Sequence, residues 1–296
     1  MLDPRRVGSE RSVRLGLRIT PDTGRPLSAW LDDLRGQQVD AIDVDIRLLE
    51  EAIRAPQPAM PIEPPPVDGL AFGLLELEEE VLHDSYALAA ATHRSQVQQW
   101  RTHVDVAPLG ALGRDWSSAG LPFGIVTVPD LAHWSAEEQD YACRLAVAIG
   151  ARIVATGFSA AGPHRLAPLA RRHDVCLSFV NDATTSVTEL ARVAAEDGPV
   201  AVALDLRVWT RRGQGPVLPF IEAHAGRISH VHLPEGAHID KTSVLIEDDD
   251  ATVADMLDAF RRRASPAPAV VVTDGDRQFF TASSRTFFVS ASSTTP

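Results

Sequence analysis

The sequence predicts an α/β protein: a (β/α)8 TIM barrel with a long insertion between strands 2 and 3. Three observations carry this. Eight short β-branched runs recur along the chain, with turn residues and amphipathic helical stretches between them. The runs are almost continuously apolar, as parallel strands covered on both faces must be. The first run also meets Arg18-Ile19-Thr20-Pro21 where a doubly wound sheet would place a glycine-rich phosphate loop.

In chain order, the first strand is expected over Val13–Ile19 and the second over Val39–Asp45. An insertion spanning about 52–118 follows and opens with Pro56, Pro58, Pro61 and Pro64–Pro66. Within it, Leu70–Leu75 fits either an added strand or the start of a helix, and a helix is expected over Tyr86–Trp100. Such insertions commonly form lids or subunit contacts, so a homo-oligomer or hetero-complex through this segment is expected. The third strand is Phe123–Val128. Ser135-Ala136-Glu137-Glu138 is a capping box that starts the next helix, and Gly150 stops it before a fourth strand at Arg152–Thr156.

Val175–Val180 is the fifth strand, and Ser186 with Glu189 repeats the capping box before Leu190, Val193 and Ala194. Val200–Leu206 and Ile228–Leu233 are the sixth and seventh strands. A helix near Ala251–Arg263 has Glu247–Asp250 before it and Arg261–Arg263 at its end, charges that complement the two poles of its dipole. Ala269–Thr273 closes the set. The division is therefore an N-terminal segment over 1–12, a barrel over 13–276 and a tail over 277–296 whose Phe279, Phe280, Phe287 and Phe288 suit a cover for the barrel or a partner.

Composition narrows the function. The 296 residues are 45% hydrophobic, enough for one large core. No apolar run reaches the roughly 18 residues of a membrane span, and no apolar stretch follows Arg5 and Arg6 as in a secretory signal. Cys143 and Cys176 are the only cysteines, which excludes a disulfide framework and a cysteine-based zinc site. A cytoplasmic protein is expected. The net charge of −12 has the wrong sign for a nucleic-acid binder. The single lysine, Lys241, would have to carry any Schiff-base or P-loop chemistry.

In a barrel of this kind the carboxyl ends of the strands build the active site. Those ends supply Arg18, Asp43 with Asp45, Asp130, Asn181 with Asp182, Asp205 with Arg207, His232 with Glu235, and Asp274 with Asp276. Aspartate is also a good helix cap, so some of these serve that role instead. In His230-Val231-His232 the two imidazoles share one face of a strand. Facing inward, they offer a metal or proton-transfer position, or else a hydrogen-bonded pair in the upper layer of the barrel.

Gly226–Leu233 resembles the seventh-strand signature of the xylose isomerase-like, sugar phosphate isomerase/epimerase barrels, a superfamily that includes the endonuclease IV type of repair enzyme. Val175–Asn181 is similar to the fifth strand of that superfamily, Val202–Asp205 to its sixth and Val39–Val44 to its second, where Glu is common at the place of Asp43. The resemblance spans residues 13 to 274. It implies a divalent cation held by Glu, Asp, His and Glu on strands five to eight. Carried over, the aspartate is Asp205 and the histidine His232, while the fifth-strand glutamate falls on Val180 and the last on Thr273 or Asp274. A histidine usual after the sixth strand is Val208 here. The metal set reduces to Asp205, His232 and Asp274, so either no cofactor or a weakly bound Mn, Mg or Zn ion is expected.

The resemblance implies an isomerase or epimerase acting on a small polyhydroxylated or carbonyl-bearing metabolite. His232, Asp205, Glu235 and His230 are its candidate proton-transfer groups, and Arg18, Asp43, Asn181, Arg207 and Trp209 its candidate substrate contacts. The lost carboxylate at Val180 also suits a metal-independent dehydratase, cyclase or rearrangement enzyme of a specialised pathway, and a barrel without catalysis could serve as a partner-binding subunit.

Overall fold

The computed structural model describes residues 14–21, 25–35, 39–57, 75–233, 253–263 and 269–272. Eight parallel strands close into a barrel in sequence order: β1 (Arg14–Ile19), β2 (Ala41–Asp45), β3 (Phe123–Thr127), β4 (Ile153–Gly157), β5 (Cys176–Val180), β6 (Val200–Asp205), β7 (Ile228–Leu233) and β8 (Ala269–Val272). β8 pairs with β1 to complete the ring.

The strands are two-faced. Val126, Val154, Leu177, Phe179, Val202 and Leu204 join the main core between wall and helices, while Ile125 and Ala155, with Ile153 and Val180, form a separate small cluster. The alternation of 125 with 126, 154 with 155 and 179 with 180 is the period of two that directs the second set into the barrel.

Between the strands lie α1 (Leu27–Leu34), α2 (Ile46–Ala52), α3 (Leu75–His103), α4 (Ala107–Ser118), α5 (Ala136–Ile149), α6 (Gly162–His173), α7 (Val187–Ala194), α8 (Leu206–Arg211), α9 (Val217–His224) and α10 (Val253–Arg263). Both expected capping boxes form, at Ser135/Glu138 before α5 and Ser186/Glu189 before α7, and Gly150 ends α5 at φ 90°. Between β2 and β3 the described elements are α2, α3 and α4. Residues 70–74 fall outside the described set, and α3 begins at Leu75, ahead of the expected Tyr86. No helix among the described residues is long and apolar enough to cross a membrane.

α3 is tied to its neighbours through one arginine. Arg101 bridges Glu50 of α2 (Nε to Oε1, 2.7 Å) and Glu138 of α5 (Nη1 to Oε1, 3.0 Å), and its guanidinium lies 3.8 Å over the Trp134 ring. Beside it is a cavity of about 770 Å³ lined by Pro21, Arg47, Glu50, His93, Arg101 and Trp134 among others. Pro21, Arg47 and Trp134 follow β1, β2 and β3, so this cavity lies at the carboxyl end of the barrel.

Candidate active site

Arg18 and Asp43 are register partners on β1 and β2, and Asp205 and His232 are partners on β6 and β7. The wall between β7 and β2 consists of β8 and β1. A contact between His232 and Asp43 therefore has to pass through the barrel interior. It is made: His232 Nε2 lies 3.4 Å from Asp43 Oδ2, and both side chains are fully buried. Arg18 joins them, with Nε 3.6 Å from Asp43 Oδ2 and Nη1 3.2 Å from His232 Nδ1.

The other partners hold this group in place. Thr127, the last residue of β3, donates to Asp43 Oδ1 at 2.7 Å. Ser229 is the extra residue of a bulge in β7, because Val202 pairs with Ile228 while Ala203 pairs with His230. Its hydroxyl lies 2.8 Å from His230 Nδ1 and 2.5 Å from the Ser178 hydroxyl on β5. The two imidazoles stand 4.9 Å apart, centroid to centroid. Asp43 Oδ2, His230 Nε2, His232 Nε2 and Arg18 Nε remain buried without a hydrogen-bond partner. Such atoms are costly inside a protein unless a ligand meets them.

Charge follows from the same contacts. Burial acts to raise the Asp43 carboxyl, but His232, Arg18 and His230 outweigh it and hold Asp43 below its ordinary value, so it is ionised at neutral pH. Burial pushes the His230 imidazolium down to about 3, and neighbouring His232 adds to this, so His230 is neutral. Arginine has only donors, so Nδ1 of His232 must accept from Arg18, which leaves the ring proton on Nε2, facing Asp43.

The other expected residues are placed differently. Asp205 caps α8, its Oδ1 accepting from the Val208 N–H at 3.1 Å. Asn181 clasps the Asp205 backbone, with Nδ2 donating to Asp205 O at 3.1 Å and Oδ1 accepting from Asp205 N at 2.6 Å. Arg207 is exposed on α8. Trp209 is buried, donating to Gly215 O at 2.8 Å and packing on Phe220. Asp45 caps α2, and Asp182 organises the turn through Thr184 and Thr185. Glu235, Asp274 and Asp276 lie outside the described residues, as do Lys241 and the tail over 277–296. The sequence reading did not single out Thr127, Ser178 or Ser229. Their signal is a hydroxyl inside an otherwise apolar strand.

By distance, Asp43, His230 and His232 could hold a metal ion, since one ligand atom from each lies within 4.8 Å of the others. Their surroundings oppose it. Neither nitrogen of His232 has a free lone pair, and a permanent positive charge already sits against the single carboxylate of the group.

Comparison with solved structures places this architecture. D-psicose 3-epimerase superimposes with a TM-score of 0.52 at 11% identity, over 92% of this chain and 88% of its own. A xylose isomerase domain protein from Planctomyces limnophilus gives 0.52 at 10% identity over 95% of each chain. The chain shares the (β/α)8 barrel fold of these proteins. AsbF of Bacillus anthracis, a probable 3-DHS dehydratase involved in petrobactin synthesis, gives 0.55 at 9% identity over 93% of this chain and 99% of its own. No protein-family model matches the sequence, and no curated protein matches it. At these identities the likeness concerns the fold alone.

Proposed function

We propose that this barrel is an enzyme of the isomerase/epimerase type, moving a proton next to the carbonyl of a small polyhydroxylated molecule. The carrying observation is the convergence of four buried polar atoms that make no hydrogen bond, Asp43 Oδ2, His230 Nε2, His232 Nε2 and Arg18 Nε, at the carboxyl ends of β1, β2 and β7. Hydroxyl groups, which both donate and accept, suit that mixture. Arg18 is the member of the cluster in contact with solvent, its side chain 22% exposed, so an incoming carbonyl or carboxylate oxygen meets it first.

Asp43, held ionised, removes the proton from the carbon beside the carbonyl. Arg18 then lies against the oxygen that gains charge, and the His232 Nε2–H, beside Asp43, orients the carboxylate that takes the proton and returns it. Return of the proton to the neighbouring carbon gives isomerisation, and return to the opposite face gives epimerisation. The same first step opens a dehydration, a second reading favoured by Arg18 standing where metal-dependent chemistry would need a cation.

The test is deuterium wash-in from D2O into aldoses, ketoses, their phosphates and hydroxylated keto acids. The expected result is exchange beside the carbonyl of one class, lost by about 10²–10⁴ in His232→Ala. Absence of exchange in every class, or full exchange by His232→Ala, would sink the reading.

A further inference from the structure

We propose that the Arg18 guanidinium takes the place of a divalent cation in this barrel, so that the Asp43–His230–His232 cluster is metal-free because Arg18 fills it. The inference deepens the reading of this cluster as the catalytic site and rests on it.

Three independent observations converge. The first is charge: Arg18 Nε lies 3.6 Å from the Asp43 carboxylate, the one anionic donor of the cluster. A guanidinium does not give up its proton, and in a buried site its repulsion of a second cation is poorly screened. The second is lone pairs. A metal takes an unprotonated ring nitrogen, yet His232 Nδ1 faces an Arg18 N–H at 3.2 Å and Nε2 carries the remaining proton. The third is what surrounds the cluster. Val180, where the resemblance would put a carboxylate ligand, packs with Ile125 and Ala155, and Asp205 spends its Oδ1 on the cap of α8.

The arrangement has a consequence for the substrate. A metal ion can bind two oxygens from different carbons in many geometries, whereas a guanidinium is a planar fork that matches two coplanar oxygens. A carboxylate, or a carbonyl with its neighbouring hydroxyl in plane, is the group this site should select.

The test uses the full chain and Co²⁺, whose visible absorption reports its ligands, together with calorimetry. Wild type is expected to show no site, while Arg18→Met takes up one equivalent. Arg18→Lys, which keeps a cation, should resemble wild type, and adding His230→Ala to Arg18→Met should abolish uptake. Stoichiometric uptake by wild type, or none by a folded Arg18→Met, would overturn the proposal. If Arg18→Met does not fold, long-range ¹H–¹⁵N spectra of wild type decide. The Nε2–H form of His232, unchanged by Co²⁺, supports the proposal, and the Nδ1–H form refutes it. These readouts do not use turnover, so failure of the catalytic reading would appear separately, as missing deuterium exchange.

Discussion

His232 of β7 reaches Asp43 of β2 across the barrel, Nε2 to Oδ2 at 3.4 Å, while Thr127 of β3 fixes the other carboxylate oxygen at 2.7 Å. Asp43 is thus held from two sides and aimed by both. Asn at this position keeps the shape and the acceptor for Thr127 but removes the charge. Asp43→Asn should therefore lower proton transfer by about 10²–10⁴, as loss of a general base does, and should also lower the melting temperature, because its amide N–H would face the donors of Arg18 and His232. Deuterium exchange measured beside a thermal melt checks both halves. An equal fall in Asp43→Asn and Thr127→Val would point to simple misplacement instead.

Arg101 carries a different kind of weight. Its side chain is only 13% exposed and neutralises Glu50 and Glu138 together, so removing it strands two poorly hydrated carboxylates. Arg101→Met should cost about 3–5 kcal/mol, the range for breaking a buried ion pair from one side. Combining it with Glu50→Gln and Glu138→Gln should recover part of that loss. Urea midpoints of the single and triple variants measure it, and a triple variant less stable than Arg101→Met would contradict this account.

These contacts show what a sequence can reveal of such a molecule. The strands were legible because their signal is local: β-branched runs bounded by proline, glycine and helix caps, with edges that agree to within a residue or two. The start of α3 was less so. Between Glu76 and Glu80 the glutamates are good helix formers, but Leu77 is the one apolar residue among them and gives periodicity little to read. At the site, polar strand ends were visible, but the division of labour among them was not. Asp43 and Asp205 read alike, yet Asp205 joins α8 directly and caps it, while Asp43 lies two residues before its strand ends and faces inward. The partners of Asp43 lie on strands that meet only when the ring closes, and Ser229 reaches His230 through a bulge that no pattern of alternation announces.

Gly113 offers a test of the packing outside the barrel. A Cβ there would stand 2.3 Å from the Ile149 carbonyl oxygen, a backbone atom of α5, so α4 can approach α5 this closely only at a glycine. Although alanine favours a helix, Gly113→Ala should destabilise the protein by about 1–3 kcal/mol, because the clash outweighs the gain in propensity. Gly110→Ala on the same helix, whose Cβ would meet its nearest atoms at 3.5 and 3.6 Å, is the control and should be neutral or stabilising. Melting temperatures of the two variants should therefore move apart, and a shared shift would remove steric contact as the cause.

Asp182 supplies the pH dependence. Burial acts to raise its carboxyl, but the hydroxyls and backbone N–H groups of Thr184 and Thr185 outweigh it and bring the folded-state value below the ordinary one. A depressed folded value means that the contribution is fully present above the unfolded value, near 3.9, and is lost as the pH falls through the lower folded value. Asp182→Asn lacks this charge at every pH. Wild type should therefore be more stable than Asp182→Asn at pH 7, and the gap should begin to close below about pH 4 and continue closing toward pH 2. Paired urea titrations at pH 7, 5, 4, 3 and 2 would show it. A gap constant over that range would mean that the turn is held by shape and not by the carboxylate charge.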